Sequence, residues 1–300
     1  MPERTAHRSS IRETLQDAAD CLAAAGLPRS RREATMLWAA VAGAGTTPGD
    51  VWLQHDREPA AEQLERFSRA VERRSSGVPF AYAVGRAAFR TLDLKLDARA
   101  LIPRPETEGL VDLVLRVMRE AGNGKGETWG AVADIGTGCG CIALALAVEG
   151  GFGRVIAVEP SADAAALARE NVALVRPSVP VEVREGDLLA PLAGQRYRAI
   201  VSNPPYLTEA EYAALDPAVR LFEPRGALVS GADGLTVTRA LLAGARALLA
   251  PGGFVALEID ERRAAAVQAL ALRHGWSRVA VYDDLFGRPR FLVAGLEGGT

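Results

Sequence analysis

Lysine is almost missing from this 300-residue chain: Lys95 and Lys125 are its only two, and arginine carries nearly all of the basic charge. The 35 basic residues are balanced by 37 acidic ones, so the net charge of −2 implies no polyanionic partner. Three cysteines, Cys21, Cys139 and Cys141, are too few for a disulfide framework. The histidines, His7, His55 and His274, are scattered. No group of Cys, His and carboxylate has zinc-ligand spacing, and no metal site is expected. Apolar runs are broken well short of a membrane span. The segment MPERTAHRSS lacks the apolar core of a signal peptide, so the expected location is cytoplasmic. Neither G-x-S-x-G nor G-x-x-x-x-G-K-[ST] occurs, which removes the elbow-type serine hydrolases and the P-loop nucleotide triphosphatases.

What is present is a substantial core composition, 49% apolar, enough for one large or two modest domains. Residues 1–76 read as helices. Ile11, Leu15, Ala18, Leu22 and Ala25 repeat at helical spacing up to Gly26. Ser30 and Glu33 suggest a capping box for a second helix. Pro59 opens a third, with Leu64, Phe67 and Val71 on one face, and Gly77 ends it. This segment carries 11 basic and 11 acidic residues, a neutral surface rather than a phosphate grip. From 78 to 103 the alternation of Phe80, Tyr82, Val84, Phe89, Leu92, Leu94 and Leu96 predicts a β-hairpin. Pro105 then starts a helix over 106–120.

Beyond the loop Asn123–Gly126, strand and helix alternate. Strands are expected at 131–135, 154–158, 179–183, 197–202, 253–259, 278–282 and 290–294, with helices such as 162–174 and 236–249 between them. Such alternation predicts an α/β fold, a doubly wound, mostly parallel sheet with helices on both faces. The resulting division is a helical domain at 1–76, a hairpin linker at 77–104 and an α/β domain at 105–300. Residues 207–232 have weak periodicity, and a structureless stretch of that length marks a functional segment.

Two motifs carry chemistry. The first is Asp134-Ile135-Gly136-Thr137-Gly138-Cys139-Gly140, between a strand and a helix. Its glycines allow a tight turn and close approach of a ligand to backbone N–H groups. Glu159, 23 residues after Gly136, ends the next strand, where a carboxylate can accept both hydroxyls of a ribose. The turn is shorter than the dinucleotide fingerprint and suits a nucleoside with a small charged tail, which points to S-adenosylmethionine. Its adenine is expected near Asp187 and Leu188. Glycines that merely pack a helix on a strand are the plainer alternative. Cys139 reads as a small filler, not a nucleophile.

The second motif is Asn203-Pro204-Pro205-Tyr206, after the apolar run Ala199-Ile200-Val201. Two prolines supply no N–H and fix φ, which makes a stiff corner at the end of a strand. Alone, it could be a strand terminator. At the carboxyl edge of a doubly wound sheet it has a use. Methylating a planar NH₂ group needs its lone pair localised. The Asn203 side-chain oxygen and the Pro204 carbonyl can take both hydrogens, and Tyr206 can stack on the plane and face a sulfonium; Asn203 is also expected to border the cofactor. Catalysis would rest on positioning and electrostatics, without a strong base.

With these pieces the chain resembles the release factor glutamine methyltransferases, the PrmC/HemK family. The resemblance rests on GVPFAYAVG, LIPRPETEGLVD, DIGTGCGCIALALA, VREGD, IVSNPPYL, EPRGALVSGADGL, LLAPGGFVALEI and DDLFGRPRFLVA, from about Gly77 onward. It implies a Rossmann-like class I methyltransferase domain that methylates the glutamine side-chain amide of the Gly-Gly-Gln loop in peptide chain release factors. It implies that the helical domain helps to dock that protein, and that Arg104–Glu108 line the methionine end of the cofactor site. A helix start with acids in its first turn explains the same segment. Glu159 replaces the more usual Asp, Thr91 a common Gly, and Asp260 another Gly. A ribosomal-protein glutamine methyltransferase, a DNA adenine N6-methyltransferase and, third, a non-enzymatic cofactor-binding module, which would have little reason to keep the whole corner, are the rival readings. A neutral N-terminal bundle without an added recognition domain argues against the second, and no stable nucleic-acid binding is expected.

Overall fold

The computed structural model describes residues 10–43, 45–121 and 128–296. The expected loop at 123–126 lies outside them. The chain divides into two compact units, 1–86 and 87–300.

The first unit is helical: α1 (Ile11–Ala24), α2 (Ser30–Ala42), α3 (Pro48–Leu53), α4 (Ala61–Ser75) and α5 (Phe80–Val84). Its core gathers Leu22, Leu37, Trp38, Phe67 and Val71, with the Trp38 and Phe67 rings edge to face at 4.8 Å. The expected capping box at Ser30 is not formed. Arg29, left-handed at φ 56°, precedes α2 and caps nothing, while Glu33 instead pairs with Arg74 at 2.6 Å. True capping boxes stand at Ser10/Glu13 before α1 and at Thr47/Asp50 before α3, a helix the sequence reading missed. The third expected helix is α4. It starts at Ala61, two residues beyond Pro59.

The hairpin is shorter than expected. Phe80, Tyr82 and Val84 lie on α5, and only β1 (Arg86–Phe89) and β2 (Leu92–Lys95) form the two-stranded sheet. A five-residue helix is too short to show its period, so burial on two sides mimicked alternation.

The second unit continues with α6 (Pro105–Glu120), β3 (Ala131–Ile135), α7 (Cys141–Glu149), β4 (Arg154–Glu159), α8 (Ala162–Val175), β5 (Val181–Glu185) and β6 (Tyr197–Ser202). Then come α9 (Glu209–Ala213), α10 (Pro217–Phe222), α11 (Thr236–Gly244), β7 (Leu249–Glu258), α12 (Ala264–Arg273), β8 (Arg278–Asp283) and β9 (Pro289–Gly295). Pro105 is the first residue of α6, where its missing N–H costs nothing. The third expected strand of the sheet starts two residues late, at Val181, directly after Pro180. The helix expected at 236–249 ends at Gly244, and Leu249 already belongs to β7.

The seven-stranded sheet has the order β5-β4-β3-β6-β7-β9-β8. Neighbours from β5 to β7 pair in parallel, and β9 runs antiparallel between β7 and β8. The winding reverses between β3 and β6, which creates a crevice at the carboxyl edge of the sheet. Helix α7 is buried from Cys141 to Ala147, as its uniformly apolar sequence requires. Each large aliphatic side chain sealed in this way contributes about 1.5–3 kcal/mol. Among the described residues no helix is long and apolar enough to cross a membrane.

The segment 207–232 is not structureless. It holds α9, α10 and the 3₁₀ turn Arg225–Ala227. Leu207 N–H donates to Leu228 O at 2.9 Å and Ser230 N–H to Leu207 O at 2.8 Å, which folds the segment back on itself. Turns of five and six residues fall below the length at which periodicity can be read.

Candidate active site

The two motifs meet at the reversal of the sheet. Gly136–Gly140 follow β3, Glu159 closes β4, and Asn203 follows β6, whose Ser202 lies opposite Ile135 of β3. Gly136, Gly138 and Gly140 have φ of 71°, 57° and 88°, a region side chains avoid. A Cβ on Gly136 would meet no atom within 4 Å, so that face of the loop is open.

The loop's N–H groups are engaged differently from the sequence reading. Gly136 and Thr137 donate to Val158 O, Gly140 to Thr137 O, and Gly138 to Glu159 Oε2 at 2.8 Å. Three of these amides clamp the turn to the end of β4, and the Gly140 bond closes the turn on itself. Asn171 of α8, which sequence reasoning missed, ties the loop down. Its amide donates to Cys139 O at 2.9 Å and exchanges two hydrogen bonds with the Lys95 backbone. Cys139 is buried, consistent with a filler role. The neighbouring Cys141 thiol is held well above its usual pKa by the Cys139 sulfur and by burial, so it is no ready nucleophile.

Two carboxylates lie against the loop. Glu159, 7% exposed, accepts from Gly138 N–H and, at 3.0 Å, from Ser161 N–H. Burial raises its pKa against those two bonds. Asp134 is fully buried; its Oδ2 accepts from the Thr137 hydroxyl at 2.6 Å and from Ala143 N–H at 3.1 Å. Its Oδ1 has no partner among the described residues, and burial pushes its pKa up to about 7. An orphaned buried carboxylate oxygen is costly and calls for a donor or positive charge nearby. Gly186 N–H donates to Glu159 O, which sets Asp187 and Leu188 beside the end of β4. Asp187 is exposed, and Leu188 takes a left-handed φ of 45°.

At the second motif, Asn203 Nδ2 donates to Thr107 Oγ1 at 3.0 Å, and the Thr107 hydroxyl donates to Glu258 Oε2 at 2.7 Å. Thr107 comes from the first turn of α6 and Glu258 from the end of β7; neither was singled out individually in the sequence. Burial pushes the pKa of Glu258 up to about 7. Burial, and then the Glu258 charge, raise that of Tyr206. Gly234, at φ 74°, backs on to the Tyr206 carbonyl so closely that a Cβ there would clash with the oxygen. A cavity of about 180 Å³ opens over the corner, walled by Arg104, Asn203, Pro205, Tyr206, Leu215 and Val219.

Known proteins resolve what this arrangement belongs to. The family described as the PrmC N-terminal domain matches residues 13–85, and the methyltransferase small domain matches 112–230. A release factor glutamine methyltransferase of Deinococcus radiodurans is 39% identical over 96% of this chain and 99% of its own. One from Moorella thermoacetica is 38% identical over 95% and 98%. The chain belongs to the release factor glutamine methyltransferase family. Its fold is that of the class I methyltransferases. The catalytic domain of human METTL16, solved with an RNA hairpin, superposes with a TM-score of 0.52 at 16% identity, covering 80% of this chain and 83% of that one. At that identity the likeness extends to the fold alone. In this methyltransferase, then, Asn203-Pro204-Pro205-Tyr206 and the glycine loop follow the ends of two adjacent strands, β6 and β3.

Proposed function

We propose that the protein transfers a methyl group from S-adenosylmethionine to the side-chain amide nitrogen of the glutamine in the Gly-Gly-Gln motif of peptide chain release factors. The observation that carries this reading is the Asn203 amide. Its Nδ2 donates one hydrogen to Thr107, and among the described residues no donor satisfies Oδ1, which is left to accept from a substrate NH₂.

The residues fit the cofactor. Gly136, Thr137, Gly138, Cys139 and Gly140 provide an open turn. Glu159 keeps lone pairs for the ribose hydroxyls, Asp187 and Leu188 flank the base, and the orphaned Asp134 oxygen suits a ligand bearing positive charge. The bound cofactor supplies an electrophilic methyl on a sulfonium. Asn203 Oδ1 and the Pro204 carbonyl accept the two hydrogens of the substrate amide. Pro205 keeps the corner stiff, and Tyr206 stacks on the amide plane. Holding the nitrogen in line converts binding into rate, worth up to roughly 7–11 kcal/mol when alignment is complete.

The helical unit and the segment 207–232 supply contacts to the protein substrate beyond the small cavity. Nucleic acid is not the substrate. Free thiols at Cys21, Cys139 and Cys141 suit a reducing cytoplasm. Incubation with labelled cofactor and a purified release factor, followed by mass spectrometry, tests the proposal. Label on the Gly-Gly-Gln glutamine is expected. Label only on a ribosomal protein or on adenine would overturn it.

A further inference from the structure

The Asn203 side chain has two hydrogen-bonding ends, and only one orientation serves the reaction proposed above, on which this inference rests. Turned over about χ2, the amide would present Nδ2–H to the substrate's own N–H, donor against donor. Thr107 decides between the two. A hydroxyl has one hydrogen, and an ionised carboxylate can only accept. With its hydrogen committed to Glu258 Oε2 at 2.7 Å, Thr107 can offer Asn203 nothing but lone pairs. It takes the amide N–H and rejects the amide oxygen. Thr107 lies on α6, Glu258 on β7 and Asn203 just after β6, and Thr107 and Glu258 are each 2% exposed, so water does not compete for the bond between them.

We propose that Glu258 is a positioning residue for methyl transfer: acting through the Thr107 hydroxyl, its carboxylate holds the Asn203 amide with Oδ1 turned toward the substrate nitrogen. A protonated Glu258 donates to Thr107 Oγ1 instead. That frees the Thr107 hydrogen for Asn203 Oδ1, and the inverted, unproductive amide becomes accessible. Around the carboxyl stand Arg104 and Glu106 at the start of α6, Arg290 of β9 and the Tyr206 hydroxyl after β6. Burial outweighs the pull of the two arginines and holds the pKa near 7. The productive orientation is therefore secured above that pH and lost as pH falls through it.

The test compares wild type with N203A, E258Q, T107V and T107S, measuring kcat, KM for the release factor and cofactor Kd across the neutral pH range. Wild-type kcat should fall on the acid side of the Glu258 pKa. Glutamine at 258 can accept from Thr107 or donate to it, so E258Q should lower kcat on the alkaline side by about tenfold, the worth of one such hydrogen bond. It should also erase the acid limb while KM and cofactor Kd hold. T107V should behave alike, and T107S should restore both rate and pH profile. Should one of E258Q and T107V fail to fold, the other decides. If N203A is inactive while E258Q and T107V keep the wild-type rate and acid limb, this inference is overturned and the proposed function stands. Losses confined to Kd and KM, with the pH profile intact, also overturn it, because they mark a merely structural role. A fully active N203A would overturn the proposed use of Asn203 itself, and this inference with it.

Discussion

Arg104 Nη2 donates to both carboxylate oxygens of Glu223, at 2.7 and 2.8 Å, across 119 residues of chain. The Glu223 side chain is 1% exposed and that of Arg104 34%. Ile102 N–H adds a weaker bond at 3.3 Å. One ion pair thus fastens the approach to α6 to the segment 207–232, and both contribute to the wall of the cavity over Asn203.

Breaking that pair from the arginine side leaves a buried carboxylate without its counter-charge. R104M is expected to destabilise the protein by up to roughly 3–5 kcal/mol, less what solvent recovers at the partly exposed arginine. R104M/E223Q should regain most of the loss. Urea unfolding of both variants measures it, and an R104M midpoint equal to wild type would show that the pair does not secure the segment.

In the proposed reaction Asn203 is asked chiefly for alignment and little for cofactor affinity. N203A should therefore leave cofactor Kd within error of wild type and lower kcat/KM by more than tenfold, above about 1.4 kcal/mol of transition-state binding. Retention of a tenth or more of wild-type kcat/KM would refute the role.

Glu159, proposed to hold the ribose hydroxyls, also fastens Gly138 and Ser161. E159A should weaken cofactor binding by ten- to a hundredfold, as expected for charge-assisted bonds of about 1.5–3 kcal/mol. It should also lower Tm measurably without cofactor, through the loosened turn. Titration calorimetry and thermal melts separate the two effects, and unchanged affinity would remove Glu159 from the ribose site.

Asp134 gives a pH signature. Its folded pKa of about 7 lies above the ordinary aspartate value, so between the two the folded state binds more protons than the unfolded chain. Its contribution to stability therefore declines as pH rises through that window and levels off above it. D134N removes the titration. The Tm difference, variant minus wild type, should be more positive on the alkaline side of neutrality than at mildly acidic pH. A difference independent of pH would contradict the raised pKa.

The neutral helical unit is the part proposed to grip a folded substrate. Removing residues 1–85 should reduce activity on an intact release factor far more than on a short peptide carrying the glutamine, with cofactor Kd unchanged. Duplex DNA should not compete at low salt, where phosphate binding is strongest. Equal losses on peptide and protein would argue against docking by this unit.

Much of this was legible in the chain because it is written in short stretches. Strand-helix alternation, the glycines that need positive φ at 136, 138 and 140, and the stiff corner at Pro204-Pro205 are each demands of a local backbone on a few residues. Errors arose where a local signal was too short or competed with a distant one. Residues 80–84 alternate like a strand but fold as one helical turn. Ser30-x-x-Glu33 has the spelling of a capping box, yet Glu33 is taken by Arg74, 41 residues on.

By itself, then, the sequence determined the class of sheet, the edge at which the glycine loop and the Asn203 corner stand, and the types of group found there. Tertiary structure decided which groups meet. That Thr107 rather than Glu106 or Glu108 reaches Asn203, and that Glu258 stands behind it, depends on β6 lying between β3 and β7 and on α6 packing at their end. Those contacts span 96 and 151 residues, and no pattern in a single window encodes them. A hydrogen bond is directional within a few tenths of an ångström, whereas hydrophobic periodicity specifies only a face. The face could be read along the chain, and the bond had to await the fold.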